Sequence, residues 1–399
     1  MKKPIPNLWH REMRNIQVFQ TMESRGVLIN KELARQEIAV GEGRMHQIRK
    51  ELGYNPASGK DLKRLLIDEM GLPVAKPTPK GDPSFDKEAM AEYELILANN
   101  PKYSEGPWGT VAQQILEYRG WQITLGLCYR KFVDLVSPDG RLRCNYKLHG
   151  TKTTRTSCED PNLQQVPKQV KKVWNRNIKK TFEAEDGYVL YQADFSQGEM
   201  RLAAGYAKQS NLIETFQWGR NMWDDMIAEL NRPKDKCKTL TYAKMYGAQR
   251  KKLELILGGD DPGQFITDWE AYHDRIVAFS EYAKKTAQNK GYIKLWTGRI
   301  RHLDKDPTGG PRLAFNSLLQ GGLAEIVKSA MIRLYNEVDG PECRMLLMVH
   351  DSVIFEIKRE YAEQYIAQIH EVMRRVEDEV TFNDVPFDVE GEFWGKDAA

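Results

Sequence analysis

The chain is poor in the residues that usually announce a stapled or metal-bound fold. Its five cysteines, Cys128, Cys144, Cys158, Cys237 and Cys343, form no CxxC pair, and its seven histidines fall at no metal-ligand spacing. Neither a disulfide framework nor a zinc site is indicated. The start, MKKPIPNLWHREMR, has lysines but no apolar core of an export signal, and no stretch approaches the roughly 18 apolar residues that a membrane span needs. A cytoplasmic protein that makes no use of a membrane is expected, in the host cell if the source is viral. Internal repeats and low-complexity tracts are also lacking, so domain breaks are read from Pro/Gly clusters and charge shifts, while the composition excludes disorder and a collagen-like fold.

What remains is a globular composition, 41% hydrophobic and 29% charged over 399 residues, enough for two or three cores. The charges nearly cancel, 59 basic against 56 acidic, but they are segregated. Lys168, Lys171, Lys172, Arg176, Lys179 and Lys180 form a run with no acid, and Arg232 to Lys252 holds eight cations against Asp235 alone. The tail from Glu356 to Asp397 is acidic, with twelve acids and five bases. Basic zones of this kind track a polyphosphate backbone, although any single run is also explained as a solvated face.

The first ~140 residues read as mainly helical by the spacing of their apolar positions, with an exposed Pro-rich loop over 76–83. Apolar spacing predicts a long helix with a basic face from Thr110 to Leu135. After the turn Ser137-Pro138-Asp139-Gly140, the run Tyr188 to Ala193 reads as a strand ending on Asp194. A helical region follows, and then a strand pair, Met345–Val349 and Ser352–Glu356, hinged at His350-Asp351.

Two strands thus each end on an acid, 157 positions apart. If both lie in one sheet, Asp194 and Asp351 can meet, and hard divalent cations want such oxygens. Two ions so held would clamp the attacking and leaving oxygens of a phosphoryl transfer. Beside Asp194, Ser196-x-x-Glu199 has the form of a capping box opening a helix. Pro233 suits a helix start and Gly247 a helix end, so Lys234, Lys238, Tyr242 and Tyr246, spaced by four, share a slowly drifting face. Two cations below two aromatics match a triphosphate beside a stacked base; the same segment is also readable as an amphipathic helix with lysines in water and tyrosines in the core.

These residues resemble the family A, DNA polymerase I-like, DNA polymerases. Asp194–Arg201 is similar to the family's motif A, Lys234–Gly247 to motif B, and Val349-His350-Asp351 to motif C. Arg155 with Pro161–Pro167, Arg312 with Asn316 and Gln320-Gly321, and Gly391–Trp394 agree in order. The resemblance runs from about residue 10 to the end. It implies an α+β right-hand polymerase fold: a lead-in over 1–30, a thumb over 31–143, a palm over 144–208 and 310–399 built on an antiparallel sheet, and helical fingers over 209–309.

It also implies template-directed addition of dNTPs to a primer 3′-OH. Two Mg²⁺ ions, with Mn²⁺ as a substitute, would be held by Asp194, Asp351 and the backbone carbonyl of Phe195. Gln197, Glu199, Lys234, Lys238, Tyr242 and Tyr246 would bind the nucleotide, Glu199 acting as the gate against a 2′-hydroxyl. Arg155, Asn162, Gln164, Arg312, Asn316, Gln320 and His350 would contact primer-template DNA, with Arg155 and Gln320 in the minor groove.

Departures from the family pattern stand at four places. Lys234 replaces an arginine and loses its bidentate fork. Ser352 stands in place of a glutamate, and Trp223 in place of a histidine that contacts the triphosphate, with Arg220 as a conceivable substitute cation. Gly198 replaces a bulky isoleucine, which predicts a looser pocket. The thumb-like part begins within about thirty residues of the start. The expectation is a phage-type module without 3′–5′ proofreading, paired with a separately encoded exonuclease or processivity factor.

Overall fold

The computed structural model describes residues 8–104, 107–166, 174, 177–257, 261–303, 310–378 and 384–397. Two compact units result. One comprises Met1–Gly26, Asn145–Cys158 and Glu185–Trp394; the other comprises Val27–Cys144, Glu159–Ala184 and Gly395–Ala399.

The first unit is built on an antiparallel sheet of four strands, β1 (Tyr188–Phe195), β2 (Cys343–Val349), β3 (Ser352–Lys358) and β4 (Val389–Phe393), in the order β4-β1-β3-β2. The expected strand into Asp194 is β1, which runs one residue past the acid. β2 and β3 are the expected hairpin, and the pair Ser352↔Val349 closes it over a two-residue turn, His350-Asp351. β2 and β3 are buried along almost their whole length, which explains their continuous apolar runs.

Seven helices of this unit matter here: α1 (Leu8–Arg25), α2 (Gly198–Ala207), α3 (Met222–Leu230), α4 (Lys234–Met245), α5 (Pro262–Tyr272), α6 (Asp274–Lys290) and α7 (Ala314–Glu337). α7 is buried on nearly every face, as an all-round apolar helix must be. Its two buried charges are compensated. Arg299 Nε donates to Glu325 Oε1 at 2.7 Å and Lys328 Nζ to Glu12 Oε1 at 3.3 Å, while Arg299 Nη2 also reaches Glu12. Leaving one of these groups without its partner costs several kcal/mol, of order 3–5, so the set fixes α1, the Arg299 turn and α7 together. Burial pulls the Lys328 ammonium below its ordinary pKa although Glu12 opposes this. Within the expected lead-in, α1 sends Val18, Phe19 and Met22 into the core.

The second unit is mainly helical, with a short antiparallel sheet in which Val27–Ile29 lies between Arg141–Leu142 and Phe182–Glu183. The long helix expected over 110–135 is present as α-helix Val111–Thr124, a π-helical segment Leu125–Tyr129 and α-helix Arg130–Leu135. Its basic face is less open than expected. Arg119 turns onto the carbonyls of Pro56 and Phe85, and Arg130 pairs with Glu42 at 2.7 Å. Gly41 lets helix Lys31–Leu52 close on Trp121, whose ring carbon would stand 2.5 Å from an added Cβ. Among the described residues no helix is long and apolar enough to cross a membrane.

Candidate active site

The sheet register decides where the two acids go. Val353 pairs with Ala193, so the next step along the antiparallel ladder sets Ser352 beside Asp194 and Asp351 just beyond it. Neighbouring strands lie about 4.8 Å apart, so both aspartates reach the same end of the sheet. Gln192 and Asp194 alternate with the buried Ala193 and Phe195. Gln192 Nε2 donates to the buried Ser352 Oγ at 3.0 Å, which places Ser352 on the face of Gln192 and Asp194. The serine that replaces a glutamate is therefore occupied by a local hydrogen bond. His350 adopts φ 59°, a left-handed conformation that costs a side-chain-bearing residue about 1–2 kcal/mol and turns the chain onto Asp351.

Around Asp351 the side chains form one connected cluster. Arg155 Nη2 donates to Asp351 Oδ2 at 2.9 Å and to Glu199 Oε1 at 3.0 Å. Asp351 Oδ1 is buried with no hydrogen-bond partner. Glu199 stands in the first turn of α2 and, with burial, holds the Tyr242 phenol up at about 12; burial is the larger cause. The Tyr246 phenol is raised first by burial and then by Glu199, and nearby Gln320 opposes the shift. Gln320 lies one turn beyond Asn316 on α7. Gly247, at φ 75°, admits Arg312: an added Cβ would meet Arg312 Cγ and the Arg312 carbonyl oxygen at 3.1 Å. The structure thus brings Asp351, Arg155, Glu199, Tyr242, Tyr246, Gln320 and Arg312 together.

The helix over 234–245 starts after Pro233 and ends before Gly247. Along it the Tyr242 and Tyr246 rings lie 6.4 Å apart at 24°, and the Tyr242 and Trp223 rings 5.9 Å apart. Lys238 Nζ sits 5.4 Å from the Trp223 ring centroid. Tyr242 and Tyr246 are partly exposed, so the face carries an open aromatic edge rather than lysines in water over tyrosines in a core.

Several expectations are corrected. The capping box does not form: Gln197 takes a left-handed conformation at the head of α2 and makes no side-chain cap, and Glu199 turns to Arg155 instead. The Gly198 pocket is not loose, because Leu323 Cδ1 fills the space at 2.6 Å from where a Cβ would stand. The basic run at 232–252 is partly spent on local partners. Lys234 pairs with Asp224 at 3.2 Å, Lys244 with Glu270, and Arg250 with Glu254 at 3.1 Å. Arg220 is engaged with Asp225 at 3.4 Å. Asn162 and Gln164 belong to the second unit, where the Asn162 side chain caps the turn Leu163–Gln165. Lys168, Lys171, Lys172 and Arg176 lie outside the described residues.

The match to the family model for DNA polymerase family A spans residues 28–397. The chain belongs to DNA polymerase family A. This family A chain is 29% identical to the thermostable DNA polymerase I of Thermus aquaticus over 342 residues, covering 81% of this chain and 40% of that protein. To DNA polymerase I of Pseudomonas aeruginosa it is 26% identical over 391 residues, 91% of this chain and 41% of the relative. The chain therefore spans about two-fifths of the length of these relatives. In fold it is similar to the polymerase domain of Pol1 from M. smegmatis, solved with DNA primer-template and dNTP. The TM-score is 0.84 at 24% identity, covering 97% of this chain and 70% of that one. The α+β polymerase fold expected from the sequence is the fold found.

Family A polymerases use divalent metal ions, and the donor set here fits a hard cation: carboxylate oxygens, one of them buried and unpartnered on Asp351. Among the described residues no group of three or more His, Cys, Asp or Glu gathers in metal-binding geometry. Glu390, which stands opposite Asp194 in the β4–β1 register, went unnoticed in the sequence. So did the buried charges of α1 and α7, whose signal was Glu12, Glu325 and Lys328 on otherwise apolar helix faces.

Proposed function

We propose that the chain is a template-directed DNA polymerase that adds dNTPs to a primer 3′-OH by phosphoryl transfer. The observation that carries this reading is the connected cluster Asp351–Arg155–Glu199 with Tyr242, Tyr246 and Gln320 at the end of the sheet that delivers Asp194.

In this reading Asp194, Asp351 and the Phe195 carbonyl hold two Mg²⁺ ions, with Mn²⁺ as a substitute. Bound there, the ions would neutralise charge on the phosphates and favour the attacking 3′-oxygen. The protein's own groups bind and align. Lys238 receives the triphosphate, with Lys234 available once Asp224 releases it, and Tyr242 stacks beside the incoming base. Glu199 and Gln197 border the sugar, and a ribose hydroxyl would meet the half-buried Glu199. Tyr246 and Gln320, close to each other, stand at the templating pair. Arg155, Arg312, Asn316 and His350 contact primer or template, as do Asn162 and Gln164. Most of the rate comes from alignment and charge, which suits a site lacking a protein nucleophile.

Residues 144–208 and 310–399, which hold the sheet of the first unit, serve as palm, 209–309 as fingers and 31–143 as thumb. Within the palm span, Glu159–Ala184 groups with the thumb residues in the second compact unit. The site of action is the cytoplasm.

Primer extension with Mg²⁺, comparing dNTPs with NTPs, tests the reading. Wild type is expected to extend with dNTPs, and Asp194→Asn and Asp351→Asn to lose extension while still binding the duplex. Near-wild-type turnover in either variant would remove its acid from the metal site.

A further inference from the structure

The four lysines of α4 meet three kinds of surroundings, and Lys244, although 5.8 Å over the Trp269 ring, also has a carboxylate partner. Lys234 faces the Asp224 carboxylate at 3.2 Å, Lys236 donates to the Leu257 carbonyl, and Lys244 pairs with Glu270. Lys238 alone lies over an aromatic face while having, among the described residues, no carboxylate within ion-pair reach: its Nζ stands 5.4 Å from the Trp223 ring centroid. Trp223 is 4% exposed, so the ring is held by its surroundings, and its backbone N–H is capped by Asn221 at 2.9 Å. The same ring lies 5.9 Å from that of Tyr242 at 45°.

A carboxylate partner would fix an ammonium but cancel its charge. An indole face attracts the ammonium through its quadrupole and carries no net charge. The long, flexible lysine stem loses much of its rotamer freedom when it grips a phosphate, and parking it beforehand removes part of that cost. We propose that Trp223 is a positioning residue: it holds Lys238, with charge intact, ready for the nucleotide phosphates, and braces Tyr242 from the same ring. This rests on the polymerase reading and names the part of the site that sets nucleotide affinity.

The test is a graded weakening of the ring face at constant shape, with mono-, di- and trifluorotryptophan introduced at position 223 alone. Equilibrium binding of dTTP to the protein with primer-template is measured by titration calorimetry, beside KM and kcat for dTTP in primer extension. Affinity is expected to fall stepwise with each fluorine, and KM to rise by about tenfold across the series while kcat stays within about twofold. Trp223→Phe should keep most of the affinity, and Trp223→Leu should lose it. In a Lys238→Gln background Trp223→Leu should add little, since both remove one interaction. A flat fluorine series, or losses that multiply independently in the double variant, would overturn the proposal. The two readings fail separately. Stepwise loss of dTTP binding in a protein that extends no primer would count against the polymerase reading and for Trp223, and extension with a flat series the reverse.

Discussion

Arg155 Nη2 stands 2.9 Å from Asp351 Oδ2, and the same nitrogen also serves Glu199. One guanidinium nitrogen thereby bridges two carboxylates from different elements, one of them proposed to hold metal, and offsets one of their two charges. Arg155→Leu removes that counter-charge. Divalent-ion affinity of the DNA-free protein, followed by Mn²⁺ paramagnetic resonance, is expected to rise roughly fivefold, the equivalent of about 1 kcal/mol of partly screened pairing. Unaltered Mn²⁺ binding would mean that the pair does not govern the carboxylate.

Glu199 is held by Arg155 rather than by a cap, so its removal should not unravel α2. Glu199→Ala is expected to raise ribonucleotide incorporation relative to deoxyribonucleotide by about 10–200-fold, the range for one lost discriminating contact. Single-turnover incorporation of UTP and dTTP measures it, and an unchanged ratio would leave the gate elsewhere.

Gly198 and Leu323 share one space, with 2.6 Å between Leu323 Cδ1 and an added Cβ. Gly198→Ala is expected to cost about 1–3 kcal/mol through overpacking, seen as a lower thermal midpoint. Adding Leu323→Val should return much of the loss. A double variant no better than Gly198→Ala would show that the strain lies in another contact.

His273 is fully buried between Trp269, 4.5 Å away centroid to centroid, and Tyr272, and burial pulls its pKa down from 6.5 to about 4. Between pH 6.5 and 4 the unfolded chain binds a proton that the folded unit refuses. Stability is therefore full above 6.5 and falls as pH drops towards 4, by roughly 3 kcal/mol from this group. His273→Phe, which cannot titrate, should flatten that part of the thermal-midpoint profile; a wild-type slope in the variant would assign the loss to other groups.

The strands and α4 were legible because their signals are local. Apolar runs end at Asp194 and at the His350-Asp351 turn, and Pro233 and Gly247 punctuate one helix. The capping box fails to form for a reason the sequence does not display. Ser196-x-x-Glu199 has the right residues, but the left-handed Gln197 between them breaks the geometry, and a distant arginine offers Glu199 a stronger partner. Gly198 misled in the same way, since the side chain filling its space comes from 125 positions later in the chain. Charge runs were poor guides because a lysine's partner, Asp224 for Lys234 or an indole for Lys238, is set by which helices pack together.

The ion-paired set that joins Glu12 to Lys328 spans more than three hundred positions and has a bearing on biosynthesis. At about 5–20 residues per second, a ribosome needs roughly 15–60 s to deliver the later partner after the earlier one. Throughout that interval Val18, Phe19 and Met22 lack the α7 side of their core, so α1 is an amphipathic segment with its apolar face uncovered until α7 has been made.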